Sequence, residues 1–398
     1  MRSTCRACQS PNLELLLQLG PLPLAGGFLK SKDDIKQEKF YPLNLHICAE
    51  CGLVQNLDVI PPAVLFSDYH FSTSTIPALV THFKNYAKWI KDTYNPQKVL
   101  EFGCNDGALL VELQKLGIDA FGIDISKNIT TMAREKGLNV ETGYFNVRTA
   151  ENLLHSVGRV DFITGSNCFP HNDDMDTILE GARLLLNKNG FFSVEVMYAG
   201  DLLDSLQWDS LYHEHLNFLC VSTAKKLFER NGFYIKKIVH LDMHAGSLRI
   251  VASPDRDLPA DPSVYQFLEK EEISGLTSLK RWHKFAVDVK RSIQITADSL
   301  GWLAKSVQIA GFGASGRAAM WLNACKIDYL TCMIDESPLR AGYLMPGVHT
   351  PIVYPDILRH MEPEYIFVPA WNYLEIIKSR FQNYKGYWIQ PLPQLIFS

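Results

Sequence analysis

The chain has no apolar run approaching the roughly 20 residues that a membrane-spanning helix requires. It has no basic excess: 39 lysines and arginines face 43 aspartates and glutamates, a formal net charge of −4, which speaks against a dedicated nucleic-acid binder. The opening residues, Met1-Arg-Ser-Thr-Cys5, lack the apolar stretch of a secretory leader, so a cytoplasmic location without membrane attachment is expected. There is no low-complexity tract. Nor is there an even set of cysteines; nine are present, and the odd count fits reduced thiols better than a disulfide framework. What remains is an ordinary composition, 47% hydrophobic over 398 residues, enough for two or three domains with sizeable cores.

Four cysteines are paired in motif form, Cys5-x-x-Cys8 and Cys48-x-x-Cys51. Two such knuckles suit tetrahedral thiolate coordination of Zn2+, and four thiolates leave no open position for catalysis, so the site reads as structural. Cys104, Cys168, Cys220, Cys325 and Cys332 are scattered and read as small buried residues. The segment up to about residue 70 needs a staple. It is short, broken by Pro21, Pro23, Gly26 and Gly27, and closed by Pro61-Pro62.

From about 72 to 235, short apolar runs alternate with helical stretches. A helix over 80–94, a strand over 99–102, a helix over 108–115 and strands over 120–124, 160–163 and 191–196 imply a mainly parallel, doubly wound α/β sheet. A polar helical stretch over 261–300 follows. A second alternation begins with a strand over 307–310, the turn Gly311-Phe-Gly-Ala-Ser-Gly316 and a helix over 317–325, with further strands over 330–334 and 365–368.

Glu101-Phe-Gly103-Cys-Asn105-Asp-Gly107 follows a strand and opens a helix. Glycine lets a backbone approach a ligand closely and permits positive φ. The spacing differs from the Gly-x-Gly-x-x-Gly of dinucleotide folds. No pyrophosphate need be held, and the amino-acid part of S-adenosylmethionine (SAM) can take that space. Asp124, ending the next strand, can accept bonds from both ribose hydroxyls. Glu101, Gly103, Asn105, Gly107, Asp124 and Asn167 are therefore the candidate donor-binding residues. The plainer reading is an ordinary strand-to-helix turn with Asp124 as a helix cap.

Trp208-Asp-Ser-Leu-Tyr-His-Glu-His-Leu216 packs a phenol, two imidazoles and a carboxylate into Tyr212–His215. In a core each group would need its own partner. Together they can move protons and hold a developing oxyanion. A methyl donor beside a base suggests methylation of an atom that must first lose a proton. His213 reads as structural or exposed. The duller readings are an interior histidine for His215, an ion pair for Glu214 and a core aromatic for Tyr212.

These residues resemble the sugar C-3 methyltransferases of unusual deoxysugar pathways, which act on nucleotide-linked 4-keto sugars. The likeness covers nearly the whole chain. It runs through the cysteine knuckles, Leu19-Gly-Pro-Leu-Pro-Leu-Ala25, the 101–107 loop, Tyr212-His-Glu-His-Leu216, His244-Ala-Gly-Ser-Leu-Arg249, Gly311-Phe-Gly-Ala314, Pro346-Gly347 and Ala370-Trp-Asn372. It implies a zinc-binding module over 1–70, a SAM-binding methyltransferase domain over 71–235 and a Rossmann-like α/β domain over 236–398 that helps bind the sugar nucleotide. By resemblance Tyr212, Glu214 and His215 take the catalytic positions, with His215 the favoured base. His171 matches a further family histidine near the sugar, and Tyr69 falls where the first module contributes a tyrosine. Phe71 stands where many relatives have a second tyrosine, so which tyrosine acts stays open. Ala245 replaces a usual glycine, and Ser315-Gly-Arg317 differs from the commoner, lysine-bearing turn.

The expected reaction uses the acidity that a 4-keto group gives the C3–H bond. His215 removes the proton; Tyr212, His171 or Tyr69 holds the C4 oxygen; Glu214 orients the donor, a sugar hydroxyl or His215 itself. The zinc takes no part. The Gly311–Gly316 turn faces the sugar nucleotide, dTDP- or GDP-linked, with Arg249 and Arg317 as candidates for its diphosphate charge. His244, Ser247, Gly313, Trp371 and Asn372 complete the candidate substrate set. A monomer or weak oligomer is expected. Competing readings are an N- or O-methyltransferase on a sugar nucleotide, an RNA methyltransferase with a zinc-knuckle reader, which the acidic balance opposes, and a non-catalytic donor-binding scaffold.

Overall fold

The computed structural model describes residues 2–66 and 71–398. Tyr69 lies outside the described residues. The first module is an antiparallel sheet of β1 (Leu13–Pro23), β2 (Phe40–Cys48) and β3 (Val54–Asn56). Two register shifts between β1 and β2 bend the ribbon. The β2–β3 turn sets the second cysteine knuckle against the first, and all four Sγ atoms lie within 4.8 Å of one another. Cys5–Cys51 and Cys8–Cys48 are 3.5 and 3.6 Å apart. A tetrahedron with Zn–S bonds of 2.3 Å has edges of about 3.8 Å. The donor set therefore fits a closed, structural zinc site, as the spacing predicts.

The second sheet holds β4 (Lys98–Phe102), β5 (Asp119–Asp124), β6 (Asn139–Thr142), β7 (Val160–Ser166) and β8 (Leu186–Met197). The next strand, β9 (Asn217–Phe218), leaves this sheet, and β10 (Tyr234–Leu241) and β11 (Ser247–Ser253) return to it. The spatial order is β10-β11-β8-β7-β4-β5-β6, with β8 through β6 parallel and the last hairpin antiparallel. Strand order reverses between β4 and β7, where an open α/β sheet leaves a crevice at its carboxyl edge. The sequence-based division at 235 cuts β10, because the sheet runs on to Ser253. A terminal hairpin breaks the strand–helix alternation used to place that boundary.

Strand β9 pairs with β3, Val54 opposite Phe218 and Gln55 opposite Asn217. The zinc module's sheet is thus completed by the strand that follows Tyr212–His215. Arg6, 1% exposed, secures the same joint through Asp173 Oδ1 (2.9 Å) and the Asn56 carbonyl (2.8 Å).

The polar stretch after β11 forms two helices, Pro262–Ser274 and Leu279–Leu303, separated at left-handed Gly275 (φ 62°). The third sheet comprises β12 (Ile309–Phe312), β13 (Met333–Ile334), β14 (Ile352–Val353), β15 (Tyr365–Phe367), β16 (Tyr387–Gln390) and β17 (Ile396–Phe397). Its order is β14-β13-β12-β15-β16-β17, parallel except for the β17 edge. The strand expected over 330–334 shortens to two residues. A second switch point lies between β12 and β15. Among the described residues, no helix is long and apolar enough to cross a membrane.

Cys48→Ser should lose bound zinc and lower the thermal midpoint by about 5–10 °C. Metal analysis and calorimetry would show this, and full zinc occupancy in the variant would contradict the four-thiolate site.

Candidate active site

One cavity of about 610 Å3 joins the two switch points, bounded by the glycine loop after β4 and the glycine turn after β12. The run 212–215 contributes Tyr212, Glu214 and His215 to its wall.

At the β4 end, Glu101 is 2% exposed and its Oε2 has no hydrogen-bond partner among the described residues. Burial, reinforced by Asp124, pushes its pKa well above the usual carboxylate range. Gly103 has φ +64°, and a Cβ there would stand 2.6 Å from Cys168 Sγ. Asp124 accepts from the Asn105 and Ser126 N–H groups at 3.0 and 2.9 Å, and burial raises its pKa. A spare carboxyl oxygen for an ammonium, a strand-end carboxylate for neighbouring hydroxyls and a loop with no room for a side chain fit SAM. Asn167, left-handed at φ 56°, also lines the cavity.

Of the two remaining loop residues, Asn105 lines the cavity and Gly107 does not. The Asn105 side chain accepts from Thr73 N–H (2.9 Å) and donates to the Phe71 carbonyl (3.1 Å). It ties the segment after residue 70 to the loop. Gly107 lies off the cavity wall; a Cβ there would come within 2.1 Å of Leu138 Cδ1, so it is a packing glycine.

In the catalytic run, His215 Nδ1 lies 2.6 Å from the Ser210 carbonyl. A carbonyl only accepts, so Nδ1 carries the proton and Nε2 keeps its lone pair. The ring lies between Tyr212 (centroids 3.9 Å) and His171 (4.9 Å, 25° between planes). Burial, then His171, pushes the His215 pKa well below the usual imidazole range. Burial takes His171 to about 4. Both rings are neutral at neutral pH. Burial also raises the Tyr212 phenol, which keeps its proton, and brings Glu214 up to about 7. Glu214 has no hydrogen-bond partner among the described residues. His213 turns away and donates from Nε2 to the Tyr41 carbonyl of the zinc module at 3.1 Å, a structural role.

The candidate substrate set divides. His244, Gly313, Arg317 and Asn372 line the cavity; Ser247, Arg249 and Trp371 do not. Ser247 donates to the Met243 carbonyl at 3.0 Å. Arg249, on the same face of β11, is 4% exposed and gives Glu195 two bonds of 2.9 and 2.6 Å. Its guanidinium lies 3.6 Å from the Tyr86 ring centroid and 4.6 Å from that of Trp89. Despite burial, the His82 bond and Arg249 hold Glu195 down to about 2. The positive charge that sequence reading gave to a diphosphate is used inside the protein. Arg317 is on the wall, yet its guanidinium is held by Asp209 Oδ1 (3.0 Å), Gln207 Oε1 (3.2 Å) and the His244 carbonyl (3.1 Å). The Trp371 indole donates to Asp209 Oδ2 at 2.9 Å.

Sequence reading passed over Ser210, whose carbonyl sets the His215 tautomer, and Asp209, although both lie within the quoted run. It also missed Arg340, on the C-terminal wall beside Gly313. Arg340 donates to the Ala314 carbonyl (3.0 Å), pairs with Asp335 (3.2 Å) and leaves Nε without a partner among the described residues. Nothing in the loop after Pro338 singles this arginine out.

Gly103→Ala should weaken SAM binding at least tenfold in calorimetric titration while leaving zinc content unchanged, because the added methyl collides with Cys168 at the donor loop. Affinity within twofold of the parent would remove the loop from the donor site.

Three family models match the chain in succession: one described as "Putative zinc binding domain" over 5–66, a methyltransferase domain over 79–238 and a C-methyltransferase C-terminal domain over 242–393. The C-methyltransferase NovU of Streptomyces niveus is 29% identical over 400 residues, spanning 98% of this chain and 95% of its own. A ubiquinone biosynthesis O-methyltransferase of Bordetella avium, 27% identical, matches 27% of this chain and 47% of its own length. Among solved structures, the PH0226 protein of Pyrococcus horikoshii covers 49% of this chain and 98% of its own at 14% identity, with a TM-score of 0.38. With its four-cysteine cluster, its donor-shaped loop and this order of modules, the chain is similar over nearly its whole length to SAM-dependent C-methyltransferases and joins a zinc-binding module, a methyltransferase domain and a C-methyltransferase C-terminal domain.

Proposed function

We propose that the chain methylates C3 of a nucleotide-linked 4-keto-deoxysugar. The observation that carries this reading is a neutral imidazole, His215, with its Nε2 lone pair free, in a cavity that reaches both glycine turns. Glu101, Gly103 and Asp124 hold the methyl donor, which supplies an electrophilic methyl group on a sulfonium. The turn at Gly313 and the N-terminus of the helix Gly316–Ala324 face the diphosphate, with Arg340 on the same cavity wall.

His215 Nε2 takes the proton from C3, and the electron pair spreads to the C4 oxygen. A base with so low a conjugate pKa is weak, so the developing oxyanion must be stabilised strongly. Tyr212, protonated and in ring contact with His215, donates there; His171 is the second candidate. Glu214 acts in its protonated form as a donor to a sugar hydroxyl, because a carboxylate beside the oxyanion would repel it. C3 would then accept the methyl group that the donor, held by Glu101, Gly103 and Asp124, would supply. Alignment of the two bound reactants supplies much of the rate.

With a nucleotide-linked 4-keto-6-deoxysugar in deuterated water, the protein should place deuterium at C3 and, with donor present, a methyl on that carbon. His215→Ala should abolish the exchange while SAM binding persists. A methyl on oxygen or nitrogen would replace this reading with another methyltransferase chemistry. The pH dependence follows from Glu214: kcat/KM should fall as pH rises through about 7, where its carboxyl ionises, and Glu214→Gln should flatten that limb. A profile unaltered by the substitution would remove Glu214 from this role.

A further inference from the structure

Asp209 is fully buried in the turn Trp208–Ser210 and does not line the cavity. Its two oxygens receive three donors from the C-terminal module: Arg317 Nη1 at 3.0 Å, Trp321 Nε1 at 3.2 Å and Trp371 Nε1 at 2.9 Å. Arg317 and Trp321 sit on the helix that follows β12, and Trp371 on the turn that follows β15. One carboxylate therefore grips both banks of the C-terminal crevice. Through Arg317 it also reaches back to the methyltransferase sheet. Arg317 Nη2 donates to the His244 carbonyl at 3.1 Å, and Gln207, which accepts from the same nitrogen, donates to the Ala245 carbonyl at 2.7 Å.

His244 and Ala245 are both left-handed, at φ 55° and 66°, a conformation costly for residues other than glycine. Such strain persists where surrounding contacts over-determine the backbone. Gly246 follows at φ 120°, where a Cβ would lie 2.2 Å from Asp201 Oδ2. The carbonyls of both strained residues are held by side chains organised around Asp209, and His244 is the member that faces the cavity.

We propose that Asp209 is a positioning residue: through Arg317 it fixes the C-terminal module over the catalytic run and holds the strained His244 turn at the cavity wall. The kinetic part of the test rests on the sugar reading above; the structural part does not. In zinc-loaded, full-length Asp209→Asn, whose amide cannot accept all three donors as a charged carboxylate does, backbone hydrogen exchange over 243–247 should accelerate at least tenfold. The rest of β10 and β11 should stay protected, and SAM affinity should remain within twofold. Arg317→Lys, which keeps the charge and loses the fork, should accelerate the same segment and serves if the first variant does not fold. On the 4-keto sugar nucleotide, kcat/KM for the acceptor should fall at least tenfold in either variant, and the double variant should be no worse than the weaker single one. Unchanged protection over 243–247, or effects that multiply in the double variant, would overturn the proposal. An unmodified enzyme inactive on the sugar would sink the substrate assignment alone, and the exchange measurement would still decide the role of Asp209.

Discussion

An irregular backbone carrying polar side chains must be buried at residues 207–217, and the rest of the molecule answers to that constraint. Gln207, Asp209, Ser210, His213 and Asn217 are all at most 3% exposed. No regular ladder runs through the segment apart from the two-residue β9. Buried donors and acceptors need partners, and a segment without secondary structure cannot supply its own. The zinc module gives the β3 edge and the Tyr41 carbonyl. The C-terminal module gives Arg317, Trp321 and Trp371. The zinc site is remote from chemistry in the ordinary sense, yet the strand it stabilises is hydrogen-bonded to the strand that begins two residues after His215.

The two α/β sheets follow one rule, with ligands expected where strand order reverses. The chain turns both reversals toward a single cavity, which is how a large acceptor and a methyl donor can share a site. Charge is distributed sparingly around it. Arg249 and Arg317 lie against buried carboxylates, where leaving either partner alone would cost several kcal/mol. Arg340 is held on two of its three nitrogens, which orients the third.

Features set by short-range rules were legible in the sequence. The cysteine spacing, the Gly103 turn, the helix Ala108–Lys115 and the titratable run at Tyr212–His215 each depend on neighbours a few residues apart. Long-range partnerships were not. Arg249 looked available because its partner Glu195 is 54 residues away on an adjacent strand. Asp209 looked like one more polar residue because its three donors come from positions more than a hundred residues on. The β3–β9 pairing is too short to leave a periodic pattern. At the strained turn the left-handed positions are His244 and Ala245, whose residue types give no sign of left-handed backbone.

The neutral stack of His171 on His215 bears on the energetics of the reaction proposed. A carbanion-like acceptor and a sulfonium carry opposite charges that vanish when the methyl moves. At a separation of 4 Å their attraction is about 1 kcal/mol in bulk water and about 4 kcal/mol at an effective dielectric of 20. A second protonated ring, besides the one that has taken the C3 proton, would compete for the acceptor's electrons. In the proposed step His215 turns cationic as it takes the C3 proton, and a neutral His171 beside it keeps a second positive ring away from the electrons that the methyl must capture.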